Sequence, residues 1–304
     1  MTVTASLPVI SLSKYHTPQA LARPLYEAST TAGFFYVVDH SIPESTIRDA
    51  FQLSRDYFLN GSEAEKFKYA FDTKNGIGYS GLLDPTVGSK GDLKESFYVA
   101  HPSLNIQSYP PEYAAAKALL SSYIEQMSAV SLLILGGLAC ALGLPPEKFT
   151  ACHGSLDDTD IRASQHSDYG SITLLATEKV GGLQVLNGTR EWEDVPHLPG
   201  ALIVNIADAL EFWSGGTLRS TSHRVVMPRD ENEAVSRFSI AFFVQPDFNV
   251  PIKVFTRSND FSDEEFDKRL EAKGIKPGTR RITSGEFLKA RLARTHVAVA
   301  DEAR

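Results

Sequence analysis

The stretch His166-Ser-Asp-Tyr-Gly-Ser-Ile-Thr-Leu-Leu175 decides how the rest of the chain is read. Residues i and i+2 of a strand point to the same face, so His166 and Asp168 can close on one metal ion from adjacent rungs. Alone, a His-x-Asp in a chain with eight histidines is a weak signal. Its surroundings strengthen it. From Gly154 to about Val254, short β-type runs are broken by Gly, Pro, Asn and Asp. They include Ser171 to Leu175, Leu183-Gln-Val-Leu186, Ala201-Leu-Ile-Val-Asn-Ile206, Arg224-Val-Val226 and Ser236 to Val244. Short strands at such spacing predict a sandwich or jelly roll.

A third ligand must come from another strand, and His223, beside the β-type Arg224-Val-Val226, is suitably placed. Two His and one carboxylate on one face of an octahedron leave three positions open, the ligand set of non-haem Fe(II) oxygenases. Two open positions suit a chelating 2-oxo acid and one suits O2; a closed four-ligand zinc site would not serve. The run Ser236-Arg-Phe-Ser-Ile-Ala-Phe-Phe-Val244 puts Phe238, Ile240, Phe242 and Val244 on one face and Arg237, Ser239, Ala241 and Phe243 on the other. A guanidinium among such neighbours implies a buried anion. Its planar fork matches a carboxylate, and Ser239 adds a hydroxyl donor.

Outward from this core, the N-terminal part alternates strands and helices. Val9 to Leu12 and Gly33 to Val38 read as strands, with Ala20 to Thr31, Glu44 to Phe58 and Ser62 to Lys68 as helices. Ser62 is the expected N-cap, with Glu65 in the capping-box position. Asn75 to Gly81 is turn-rich and reads as a loop, Leu93 to Val99 as a strand, and Tyr113 to Leu144 as one long helix. The tail is helical again over Ser262 to Lys273 and Ser284 to Arg294. Helices, then a β core, then helices predict an α+β fold. The expected regions are 1–110, 111–153, 154–256 and 257–304, within one compact unit.

Composition is that of an ordinary globular chain of 304 residues, 42% hydrophobic and 22% charged. A net charge of −7 argues against nucleic acid or an anionic membrane as the main partner. Cys140 and Cys152 are too few for a disulfide framework or thiolate zinc site and fit a cytoplasmic protein. Met127 to Leu144 approaches membrane-spanning length without a charge. Its serines and glycines, and the amphipathic run before it, favour a helix buried at its C-terminal half.

With these motifs in place the chain resembles the Fe(II)/2-oxoglutarate-dependent oxygenases, in the subgroup related to isopenicillin N synthase. Leu7-Pro-Val-Ile-Ser-Leu12 resembles the family's opening strand, and Ala32 to Pro43 its "GFF…NHGIP" segment. Tyr57-Phe58, Glu65-Lys66, Gly78-Tyr-Ser80 and Asp92-Leu-Lys-Glu95 follow in family order. So do Gly181-Gly-Leu-Gln-Val185, Val204 to Glu211, Ser220-Thr-Ser-His-Arg-Val225 and Arg237-Phe-Ser239. The resemblance implies a double-stranded β-helix (jelly-roll) core flanked by N- and C-terminal helices. It assigns iron to His166, Asp168 and His223 and the 2-oxoglutarate carboxylate to Arg237 and Ser239.

The implied reaction is an O2-dependent hydroxylation, desaturation or rearrangement of a small organic metabolite, with release of succinate and CO2. Tyr79, Phe97 and Tyr98 are candidates for the substrate pocket. One departure stands out. Relatives usually carry an Asn-x-Tyr-Pro stretch before the His-x-Asp, whereas here Ile161-Arg162 runs almost directly into Ala-Ser-Gln-His166. The tyrosine that often contacts the co-substrate has no counterpart. Surface or structural roles are expected for His40, His101, His153 and His197, a structural hydrogen-bonding role between strands for Asp208 and Glu211, and salt-bridged or solvated side chains for Arg162 and Arg219. Other readings are an Fe(II) oxidase without 2-oxoglutarate, a non-catalytic binding protein on the same fold, and a zinc hydrolase.

Overall fold

Apolar alternation in the second half of the chain produces strands that pass repeatedly between two sheets. The computed structural model describes residues 3–72, 75–81, 94–154, 167–226, 236–255, 262–276 and 282–297. The N-terminal region supplies β1 (Val3–Thr4), β2 (Val9–Ser11) and β3 (Phe34–Val38), and a separate hairpin of β4 (Gly78–Ser80) and β5 (Ser96–Tyr98). The later strands are β6 (Ile172–Thr177), β7 (Leu183–Leu186), β8 (Trp192–Asp194), β9 (Leu202–Ile206), β10 (His223–Val225) and β11 (Ser239–Val244). One sheet runs β11-β6-β9-β3-β2 and the other β1-β8-β7-β10. Strands β6 to β11 therefore cross repeatedly between the sheets as in a jelly roll, with β7 and β8 paired within one of them. The three N-terminal strands complete both sheets.

The period-two rule then sorts side chains into two cores. Ile172, Leu174, Leu202, Val204, Ile206, Phe35 and Val37 point outward to the helices. Phe34, Tyr36, Ile203 and partly buried Leu175 point inward, meeting Leu183, Val185 and Val195 of the facing sheet. The helical backing is α1 (Pro18–Thr31) against α5 (Lys117–Ala141). Thr17 caps α1 by accepting from the Ala20 amide, and Pro18 follows where its missing N–H costs nothing. Gly137 lets the two helices touch: a Cβ there would stand 2.6 Å from Leu25 Cδ1. By length and composition α5 is apolar enough to cross a membrane, and half of its most apolar window is buried inside the chain.

Between these layers lie α2 (Glu44–Asn60), α3 (Glu63–Phe67), α4 (Pro111–Ala115) and α6 (Glu147–Thr150). Beyond them come α7 (Asp208–Trp213), α8 (Asp263–Ala272) and α9 (Ser284–Val297). Several expectations need correction. Asn75 to Gly81 is not all loop, since Gly78–Ser80 pairs with Ser96–Tyr98. Gly78 takes φ +106, and a Cβ there would lie 2.7 Å from the carbonyls of Tyr69 and Ala70. The glycine is thus needed for a strand pressed against backbone. The expected long helix breaks at Ala116, giving α4 and α5, and α5 stops at Ala141 before Gly143 at φ +71. Ser62 does cap α3, but the Glu65 carboxylate turns to Lys68 rather than back to the cap. Asp208 and Glu211 sit on a helix, not between strands.

Candidate active site

Asp168 lies just before β6, where the chain runs back beside the start of α7. The amides of Ala207, Asp208 and Ala209 donate to the carbonyls of Ser171, Asp168 and Gly170, each at 2.9 Å. The side chain is 6% exposed. Its Oδ2 accepts from Thr173 Oγ1 at 2.6 Å and Asn205 Nδ2 at 2.8 Å. Thr173 and Asn205 are cross-strand partners of β6 and β9, so one rung of the sheet holds one carboxylate oxygen.

The second oxygen, Oδ1, faces His223 Nε2 at 3.8 Å. His223 opens β10 opposite Val185. Its Nδ1 lies 3.2 Å from the Thr221 carbonyl, which can only accept, so Nδ1 carries a proton and Nε2 is the nitrogen turned towards Asp168. The ring meets the Phe34 ring edge-on at 5.3 Å. The loop leading into it is fixed to the α1–β3 turn. Arg219 donates from its amide to the Ser29 carbonyl and from Nη1 to that of Thr31, and Thr221 Oγ1 donates to that of Ala32. Gly33, at φ +68, lies so close that a Cβ would come to 2.2 Å of the Arg219 carbonyl.

These two groups fit a shared cation. Their separation is less than twice a metal–ligand bond of about 2.1 Å, and each has its other polar atom already engaged, as ligating side chains do. Among the described residues no cluster of three or more His, Cys, Asp and Glu side chains could hold a metal. The third expected ligand, His166, lies outside the described residues, as do Arg162 and the shortened segment before the His-x-Asp.

Arg237 precedes β11, which begins at Ser239 rather than Ser236. The face assignment is supported where the outer core can be traced, since Phe238, Ile240, Phe242 and Val244 all pack there. Arg237 and Ser239 therefore project to the side from which Phe243 faces Thr173. Arg237 Nη1 donates weakly to Ser239 Oγ at 3.3 Å. Its Nε is buried with no hydrogen-bond partner, and burial pulls its pKa below the usual arginine value. A desolvated guanidinium whose Nε has no acceptor is costly. A carboxylate seated there satisfies it.

Of the expected pocket residues, Tyr79 and Phe97 pack into an aromatic cluster. Tyr79 is 1% exposed and donates to Glu95 Oε1 at 2.6 Å, beside the buried Lys66 ammonium at 2.7 Å from the same oxygen. Phe97 stacks with Tyr57 and Tyr113 in the same cluster. The aromatic surface that suggested a pocket is consumed in packing α2, α4 and the β4–β5 hairpin together. Tyr98 turns to the other face of β5, against Phe71.

Four other histidines have structural partners. His40 Nδ1 accepts from the Ile42 amide, His101 caps a 3-10 turn, and His197 meets Thr177. His153 spans the Phe149 carbonyl and Ser171. Thr173, Asn205 and Thr221 were not singled out from sequence. The available signal was Asn205, one polar residue inside the wholly buried strand Leu202–Ile206.

The jelly roll thus brings Asp168 and His223 together and leaves Arg237 Nε buried without a hydrogen-bond partner. The 2OG-Fe(II) oxygenase superfamily model matches residues 146–246, and the model for the N-terminal region of non-haem dioxygenase in morphine synthesis matches 7–117. UPF0676 protein C1494.01 of Schizosaccharomyces pombe is 31% identical, the match covering 95% of this chain and 92% of that protein. The 2-oxoglutarate-dependent dioxygenase frbH of Dothideomycetidae sp. is also 31% identical, over 92% and 96% of the two chains. In fold the chain is similar to a full-length Neurospora crassa protein crystallised in complex with alpha-KG and 5-formyluracil. That likeness has a TM-score of 0.79 at 23% identity and covers 96% of this chain and 99% of that one. The chain belongs to the 2OG-Fe(II) oxygenase superfamily. It is an oxidoreductase that uses Fe(II), 2-oxoglutarate and O2.

Proposed function

We propose that His166, Asp168 and His223 hold the iron, that Arg237 with Ser239 holds the distal carboxylate of 2-oxoglutarate, and that the substrate is a small organic metabolite. The buried Arg237 Nε with no acceptor carries this reading: an anion of defined position is what that side chain lacks. When bound, iron and 2-oxoglutarate supply O2 activation, with the co-substrate leaving as succinate and CO2. The protein's share is positional. Thr173 and Asn205 keep Asp168 presenting a single oxygen, the Thr221 carbonyl keeps His223 in the ligating tautomer, and Arg237 sets the direction in which the co-substrate lies. A small substrate suits a site enclosed between two facing sheets. The Neurospora crassa complex, with 5-formyluracil beside alpha-KG on the same fold, points the same way.

An anaerobic titration of Fe(II)-loaded protein with 2-oxoglutarate, followed by its visible charge-transfer band, tests the assignment. The band is expected to saturate in wild type and to need far more 2-oxoglutarate in Arg237→Ala. Asp168→Ala is expected to abolish both iron binding and succinate formation. Equal titrations in wild type and Arg237→Ala would sink the co-substrate assignment, and full succinate formation by Asp168→Ala would sink the ligand assignment.

A further inference from the structure

Behind the metal corner sits a buried charged cluster that the reaction itself does not use. Asp208, the first residue of α7, is fully buried. Its Oδ1 accepts from Lys273 Nζ at 2.5 Å and from Ser220 Oγ at 2.7 Å, and Arg291 Nη2 stands 3.5 Å from Oδ2. Lys273 is the C-cap of α8 and Arg291 lies on α9, so both cations reach this carboxylate from the far end of the chain.

We propose that Lys273 and Arg291 are positioning residues for the iron site, clasping the two ligand-bearing segments through Asp208 and Ser167. Six contacts point to this. The Asp208 amide donates to the Asp168 carbonyl. Lys273 Nζ also donates to Ser167 Oγ at 2.8 Å, and Ser167 is the residue between His166 and Asp168. Arg291 covers the Tyr169 ring at 4.6 Å and donates to the Lys273 carbonyl at 3.0 Å. Ser220, which begins the approach to His223, is held from its hydroxyl by Asp208 and from its amide by Glu211 at 3.2 Å. Asp208 thus touches the segments carrying both described ligands, that of Asp168 through its amide and that of His223 through its carboxylate.

The segment 167–171 precedes β6 and has no ladder of its own. Its backbone is held by α7 and, at Ser171, by the Val244 carbonyl. A loop so placed takes its geometry from whatever fixes α7, and the cations fixing Asp208 come from the C-terminal helices. A charge cluster of this kind contributes little net stability against an apolar alternative but specifies one arrangement. The C-terminal helices are therefore part of what sets metal affinity.

The inference rests on Asp168 and His223 being ligands, and the test separates the two ideas. Binding of Mn(II) or Co(II) to the full-length apoprotein is measured anaerobically, alongside the apoprotein melting temperature, for wild type, Lys273→Met, Lys273→Arg, Ser167→Ala and Asp168→Ala. Lys273→Met is expected to weaken metal binding by about tenfold or more, the range of outer-shell losses. Lys273→Arg should recover most of that loss, and Ser167→Ala should move affinity the same way with little change in melting. A lower melting temperature with metal affinity within about twofold of wild type would reduce the cluster to a fold-stabilising device. Should Lys273→Met not fold, unchanged affinity in Ser167→Ala overturns the clasp by itself. If Asp168→Ala also binds metal normally, the ligand reading fails instead.

Discussion

His153 ties the end of α6 to the start of β6, and its chemistry makes stability depend on pH in a defined direction. Its Nδ1 lies 2.8 Å from the Phe149 carbonyl and must donate, so Nε2 accepts from Ser171 Oγ at 2.9 Å. Although the residue keeps some surface, both nitrogens are engaged inside, and burial pulls its pKa down from 6.5 to about 4. In the unfolded chain the ring takes a proton below its ordinary pKa; in the fold it stays neutral until about pH 4. Falling pH therefore favours unfolding progressively across that window, and the effect levels off once the folded ring also protonates. The difference in proton affinity is worth about 3 kcal/mol. The assay is urea unfolding from about pH 7.5 to about pH 4 for wild type and His153→Gln, which keeps a polar side chain but cannot titrate. The wild-type advantage is expected to shrink by about 3 kcal/mol across the window, against a background of other acid-labile groups common to both proteins. A difference between the two proteins that stays flat with pH would refute the buried-neutral assignment.

Thr173→Val removes one of the two described donors to Asp168 Oδ2 while preserving shape, and should weaken metal binding about tenfold; dye-competition titration of the apoprotein checks it. Combined with Asn205→Leu, the loss should be less than additive in free energy, because both donors serve one oxygen. Gly33→Ala forces a side chain into the left-handed region and against the Arg219 carbonyl. It should cost at least about 2 kcal/mol, read as a lower unfolding midpoint, with His223 disturbed in the imidazole NMR spectrum. Gly137→Leu overpacks the α1–α5 contact and should destabilise by about 1–3 kcal/mol, seen in thermal melts without a change in 2-oxoglutarate affinity.

The proposed metal ligands and Arg237 could be singled out in sequence because the patterns that suggest them are local. A His-x-Asp beside a strand and an Arg-x-Ser ahead of one carry their geometry in their spacing. The outer faces of β6, β9 and β11 follow likewise from alternation. What escaped is set by contacts across the chain. Gly78–Ser80 becomes a strand only because Ser96–Tyr98 lies beside it and a glycine lets the backbone crowd Tyr69 and Ala70. Tyr79 looked available for a ligand until Glu95 and Lys66 closed around its hydroxyl. Lys273 has no signature at all in its own neighbourhood. Its meaning comes from Asp208 and Ser167, both far earlier in the chain.

The tethering of Asp168 Oδ2 by Thr173 and Asn205 has a consequence for metal competition. A carboxylate with one oxygen committed to the protein cannot chelate through both, so calcium, which takes about six to eight oxygens and often both from one carboxylate, is poorly served. Exclusion does not extend to the later transition metals. Nickel, copper and zinc outbind ferrous iron at almost any site of imidazole and carboxylate. For the proposed ligand set the metal bound is thus expected to follow supply when the chain folds. Protein produced in zinc- or nickel-rich medium should be well folded, fully loaded and inert.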